Sequence, residues 1–226
     1  MRKAFTLAEV LLTLVIIGVV AAITVPTVMT NASEQERIAR SKKGFSTLAN
    51  AMIMVKAAGG DYIFDVKNDS DANMKSWFDT YLKPYLNTLK VCYNEKGCWH
   101  EDDTRNLNGT NVYYNRKGVG IGANIITAIL ADGTFINIDS YGSASMGKYF
   151  GVDLGVKVNA DYGLVVFYDI NGTRKPNMVG RDIFVTVFTD DGLVPAYRDR
   201  TPAKIKADCS SSGTGYSCLR RYLGKH

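Results

Sequence analysis

Four groups of residues in this 226-residue chain have types and spacings suited to chemistry. The first is the loop "YDINGTRKPNMVGRDIF", from Tyr168 to Phe184. Asp169, Asn171 and Gly172 form a D-x-N-G turn whose oxygens stand at i and i+2, the tight arrangement a hard cation takes, and Asp182 closes from the other side. Calcium is therefore the one cofactor these residues suggest. No Glu stands at the twelfth loop position, so the EF-hand register is absent. Asp, Asn, Gly and Pro are also what ordinary turns are made of, and a turn is the plainer reading. The second group is "CWHEDD", where Glu101, Asp102 and Asp103 follow His100. The only other histidine is His226, so a nucleophilic triad or a metal centre would have to use one of these two. A single histidine in an acidic turn reads as solvated. "GVGIGAN" lacks the spacing of a phosphate-cradling loop. No catalytic residues are assigned and no enzyme is expected.

The third group is the cysteines, Cys92 with Cys98 and Cys209 with Cys218. Neither spacing is the C-x-x-C of a zinc knuckle or redox motif. Two local disulfides in an oxidising compartment fit better. Reduced cysteines in the cytosol are the alternative, and the N-terminus argues against it.

The fourth is a single carboxylate. In "RKAFTLAEVLLTLVIIGVVAAITVP", Glu9 opens an apolar run, and from Val10 to Ser33 there are 24 residues without a charge. About 20 such residues cross a hydrocarbon core as a helix. A signal peptide would explain Arg2 and Lys3 as its n-region. A plain anchor would place them on the cytoplasmic side. Neither explains Glu9, because an ionisable group at the membrane edge is costly without a partner.

This stretch resembles the leader and N-terminal helix of type IV pilins and type II secretion pseudopilins. In that family a short basic leader ends in Gly or Ala, and Phe-Thr-Leu, a Glu at the fifth mature position and an apolar helix follow. Here "RKA" precedes "FTLAEVLLTLVIIGVVAAITVP", with Ala4 in the place more often held by Gly. The resemblance covers about the first 30 residues. It implies cleavage between Ala4 and Phe5 by a prepilin peptidase, and methylation of the new Phe5 amine. It also implies assembly through the helix with like subunits on an inner-membrane platform. Glu9 would pair with the Phe5 amine of its own or a neighbouring subunit, satisfied only when a partner arrives. Pro26 stands where many members carry a helix-distorting proline, so the helix is expected to bend or locally melt at 22–26.

The remaining elements position a head. Ile38, Phe45, Leu48, Met52 and Val55 recur at helical spacing, and "Gly59-Gly60-Asp61" ends the pattern. An anchor joined to the head by a break at 31–33 is the alternative. Met74, Trp77, Phe78, Tyr81, Leu82 and Tyr85 form a second helical stripe, read as core, with Pro84 near its end. The period then changes to two: "ANIITAIL-ADG-TFINID" reads as a hairpin, and "GLVVFYDI", "DIFVTVFT" and "GLVPAY" as three further strands. The expected fold is α+β, a long N-terminal helix on a small antiparallel sheet, the pilin-like layout that the resemblance implies. The expected organisation is leader 1–4, transmembrane and assembly helix 5–30, and a periplasmic or extracellular head 31–226.

From Asn31 onward 25 basic and 21 acidic residues leave a charge of +4, too mild to imply nucleic acid. "LRRYLGKH" at the C-terminus sets an aromatic among cations, as a DNA-contacting tail would. A solvated tail is preferred. The sequence thus points to a structural subunit of a pilus or pseudopilus serving type II-like protein secretion. A minor tip pilin that binds DNA or a surface is the alternative.

Overall fold

The computed structural model describes residues 6–60, 71–122, 125–142, 162–189 and 191–224. It divides into two compact units, Met1–Ala39 and Arg40–His226. Helix α1 spans Leu7–Ala57 and contributes to both. Within the first unit its residues from Leu7 to Thr24 are long and apolar enough to cross a membrane. The helical assignment runs unbroken through Pro26, so the expected melting at 22–26 does not occur. Proline removes one helical hydrogen bond, and the flanking bonds still hold the chain helical.

In the second unit Leu48, Met52 and Val55 of α1 are buried. Each contributes roughly 1.5–3 kcal/mol by leaving water. The helix ends in a Schellman turn: Gly60 N–H donates to Val55 O at 3.0 Å and Gly59 N–H to Lys56 O at 3.1 Å. Gly59 has φ +77°, which its missing Cβ permits. Helix α2, Asp71–Trp77, continues as a π turn, Phe78–Leu82, and a 3-10 turn, Lys83–Tyr85, that takes up Pro84. Met74, Trp77, Phe78 and Leu82 are core, whereas Tyr85 points outward and Leu86 is buried in its stead.

One antiparallel sheet has the order β1 (Thr88–Tyr93), β4 (Ile126–Leu130), β5 (Phe135–Gly142), β6 (Tyr162–Asp169), β7 (Ile183–Thr189) and β8 (Gly192–Pro195). A small ribbon pairs β2 (Asn115–Arg116) with β3 (Gly120–Ile121). The fold class is α+β. Strand residues alternate between two cores. Ile136, Ile138, Leu164, Val166, Tyr168, Phe184 and Phe188 share a cluster with α1. Val165, Phe167, Ile183, Val185 and Val187 face Trp99, Val112 and Ile121, which lie in the segment before and within the ribbon. Both sheet faces are therefore covered, which explains why the central strands read as nearly continuous apolar runs.

The C-terminal part forms two short helices, α3 (Pro202–Asp208) and α4 (Cys218–Leu223). Asp208 folds the loop between them, accepting the N–H of Thr214 at 3.0 Å and of Ser217 at 2.8 Å.

Candidate functional site

The N-terminal candidate is built on the first helical turn. Thr6 precedes α1, and its N–H and hydroxyl each donate to Glu9 Oε2 at 2.8 Å, while Glu9 N–H donates to Thr6 Oγ1 at 3.3 Å. This is a reciprocal capping box, in which two end groups that a helix leaves unpaired are satisfied locally. In the single chain the carboxylate is thus held within its own first turn. No residue of the span Leu7–Thr24 is buried, and all but the half-buried Ala21 are exposed. Ala4 and Phe5, the expected cleavage pair, lie outside the described residues, and Pro26 is placed within α1. The Thr-x-x-Glu spacing was legible in "TLAE" as a capping signature.

The second candidate is the turn between β6 and β7. Asp169 is fully buried, and its Oδ1 accepts the N–H of Asn171 at 2.9 Å and of Gly172 at 3.1 Å. Asp182, also buried, accepts Asn177 N–H at 2.8 Å and Asn171 Nδ2 at 3.1 Å on Oδ2, and Met178 N–H at 2.6 Å on Oδ1. The two carboxylates cap two successive turns. Burial, and the Asp182 carboxylate beside it, hold Asp169 well above the usual carboxylate range. Burial likewise raises Asp182, against the N–H groups that favour its charge.

The structure brings Asp169, Asn171 and Asp182 together, but they do not fit a calcium ion. Such an ion takes about six to eight oxygens. Of these three side chains only Asp169 Oδ2 and Asn171 Oδ1 are buried without a hydrogen-bond partner. The oxygens of Asp182 are already committed to N–H donors. Among the described residues no group of three or more His, Cys, Asp or Glu is arranged to hold a metal. The D-x-N-G signal was real, and its carboxylates serve the backbone.

Cys92 is bonded to Cys98 and Cys209 to Cys218. The first bond ties β1 to the segment covering the second sheet face, and the second closes the loop between α3 and α4. His100 is buried rather than solvated. Its Nδ1 donates to Asp102 O at 2.8 Å and its Nε2 meets Thr104 Oγ1 at 3.3 Å. Burial pushes the imidazole down, against the neighbouring acids that favour its charge. The C-terminal "LRRYL" is not a solvated tail either. Leu219 is fully buried, and the Tyr222 ring packs edge-on against Phe184 at 5.9 Å. Lys225 and His226 lie outside the described residues.

No protein-family model, curated protein or solved structure matches this chain. The geometry therefore supplies an outward-facing apolar helix with one capped carboxylate, carried by a chain with a disulfide-bonded α+β unit.

Proposed function

We propose that the chain is a pilin-like subunit of a filament of the type IV pilus or type II pseudopilus kind, acting in type II-like protein secretion. It is made as a single-pass inner-membrane precursor with its head in the periplasm, is clipped after Ala4 by a prepilin peptidase, and assembles through α1 with like subunits. The observation that carries this reading is the combination of an 18-residue apolar span in which no residue is buried with a single carboxylate in its first turn. An anchor needs only the span. A carboxylate beside the new N-terminus adds a group that pairs with a cationic amine once the leader is gone. Support from the head is more general: an antiparallel sheet packed on the C-terminal part of the same helix, with disulfides suited to an oxidising compartment. Intact mass and N-terminal peptide mapping of the membrane fraction test it. The expected start is a methylated Phe5. A chain that keeps Met1, or begins near Ser33, would overturn the reading.

A further inference from the structure

The proposed function makes no use of the turn "NLNGTNVYYNRKG" before and within the β2–β3 ribbon. Tyr113 and Tyr114 are 51% and 49% exposed there, and their rings meet edge to face with centroids 5.5 Å apart and planes at 63°. Tyr114 also has φ +61°, a left-handed conformation that a bulky L-residue adopts only against a steric penalty. Its side chain is nonetheless half exposed. The base beneath is firm. Val112 is buried, its N–H donates to Thr104 O at 3.1 Å, and Asn106 N–H donates to Thr110 O at 2.7 Å. Strain held by a rigid frame at an exposed side chain is a mark of a functional position.

We propose that Tyr113 and Tyr114 form a binding corner for a neutral polysaccharide chain. Two ring faces inclined at 63° offer apolar surface to the C–H face of a sugar, and tyrosine hydroxyls keep a polar edge. The adjoining Asn108, Thr110 and Asn111 are exposed; Thr110 Oγ1 donates to Asn108 Oδ1 at 2.7 Å, which steadies both, and the Asn108 and Asn111 side-chain amides supply polar groups beside the rings. Charge selects against a polyanion. From residue 94 to 122 four carboxylates, Glu95, Glu101, Asp102 and Asp103, face four cations, Lys96, Arg105, Arg116 and Lys117. Two of these pair directly, Lys96 with Glu101 at 3.3 Å and Lys117 with Asp103 at 3.2 Å. Size selects against a protein, whose interface covers about 800 Å² per partner. Among the described residues from 94 to 122 these two tyrosines are the only exposed large apolar side chains.

The test uses the full chain in a detergent without a sugar headgroup. It is titrated with maltohexaose, cellohexaose and the hexamer of N-acetylglucosamine, with calorimetry and saturation-transfer NMR as readouts. Saturable binding of at least one is expected, with tyrosine ring protons in contact, and a loss of tenfold or more in Tyr113→Ala and Tyr114→Ala. Tyr114→Gly is expected to raise Tm by a few degrees, because glycine adopts this φ freely, and to lose the sugar as the alanine variants do. Failure of all three sugars to bind, equal binding by the variants, preference for DNA or heparin, or a lowered Tm in Tyr114→Gly would each overturn the proposal.

Discussion

The hydroxyl of Tyr168 donates a 2.8 Å hydrogen bond to the carbonyl oxygen of Ser41, joining β6 to α1 across 127 positions of sequence. Both residues are fully buried, and Gly44 lies one turn further along against the same ring. A Cβ on Gly44 would stand 2.7 Å from Tyr168 Cε2, so the glycine sets how closely helix and sheet approach. Lys43 completes the seam with an ion pair to Asp132 at 2.9 Å.

Gly44→Ala is expected to destabilise. Alanine is favoured over glycine in a helix by about 1 kcal/mol, but overpacking against a buried ring costs roughly 1–3 kcal/mol. Tyr168→Phe should lose about 1 kcal/mol with its hydrogen bond. Thermal unfolding of the two variants checks both, and a raised Tm in Gly44→Ala would mean that the helix stands further off.

Stability should fall as pH rises above the ordinary carboxylate range because of Asp169 and Asp182. Both are raised in the folded state, so it holds protons that the unfolded chain has already released. Their contribution is complete below the ordinary carboxylate range and is lost as pH climbs through the folded values. His100 acts the opposite way, since its depressed value makes its contribution fade as pH falls below about 6.5. The informative comparison is wild type against Asp169→Asn, which share His100. The variant should be the more stable at pH 8 and show a flatter Tm profile from pH 5 to 8.

Millimolar calcium should leave Tm unchanged, because the turn offers too few uncommitted oxygens for the ion. Asp182→Ala should nonetheless be costly, since Asn177 and Met178 would lose the acceptor for their N–H groups. The cost of buried N–H groups left unpaired is about 1–3 kcal/mol each. A calcium-dependent rise that vanishes in Asp169→Ala would contradict the turn-cap account.

Peptide mapping without reductant should recover Cys92 linked to Cys98 and Cys209 linked to Cys218. Replacing Cys209 and Cys218 together by serine should remove roughly 2 to 3 kcal/mol, the constraint that a short loop places on the unfolded chain. Crossed pairs or free thiols in freshly isolated protein would refute this arrangement.

Glu9→Ala should insert into the membrane as well as wild type, because it removes a charge from an apolar helix. Subunit crosslinking in membranes should nonetheless drop sharply. Thr6→Val separates capping from assembly: it removes the hydroxyl donor to Glu9 at a helix cost of about 1 kcal/mol but keeps the carboxylate, so crosslinking should persist. Equal crosslinking by correctly processed Glu9→Ala would rule out the carboxylate as the assembly group.

The hairpin of β4 and β5, the three strands after it and the Gly59–Gly60 helix stop were legible because period and turn chemistry are local. β1 was not. Its register shifts between Thr88 and Lys90 and Leu89 is 70% exposed, so no alternation survives to be read. The π turn at Phe78 was hidden because an aromatic stripe reads alike for neighbouring helix types. The turn at Asp169 misled for a physical reason: the oxygens that ligate a cation also cap backbone N–H groups, and sequence does not say which way they face. The contact of Ser41 with Tyr168 carries no local signal at all.

That contact also fixes an order of events during synthesis. At about 5–20 residues per second, the 127 positions between Ser41 and Tyr168 take on the order of ten seconds to emerge. By the end of that interval α1, β1, β4 and β5 have been made, but β7, whose Phe184 and Phe188 share the cluster with Leu48, Met52 and Val55, does not yet exist. The apolar face of α1 therefore stays only partly covered on the nascent chain until β6 and β7 arrive.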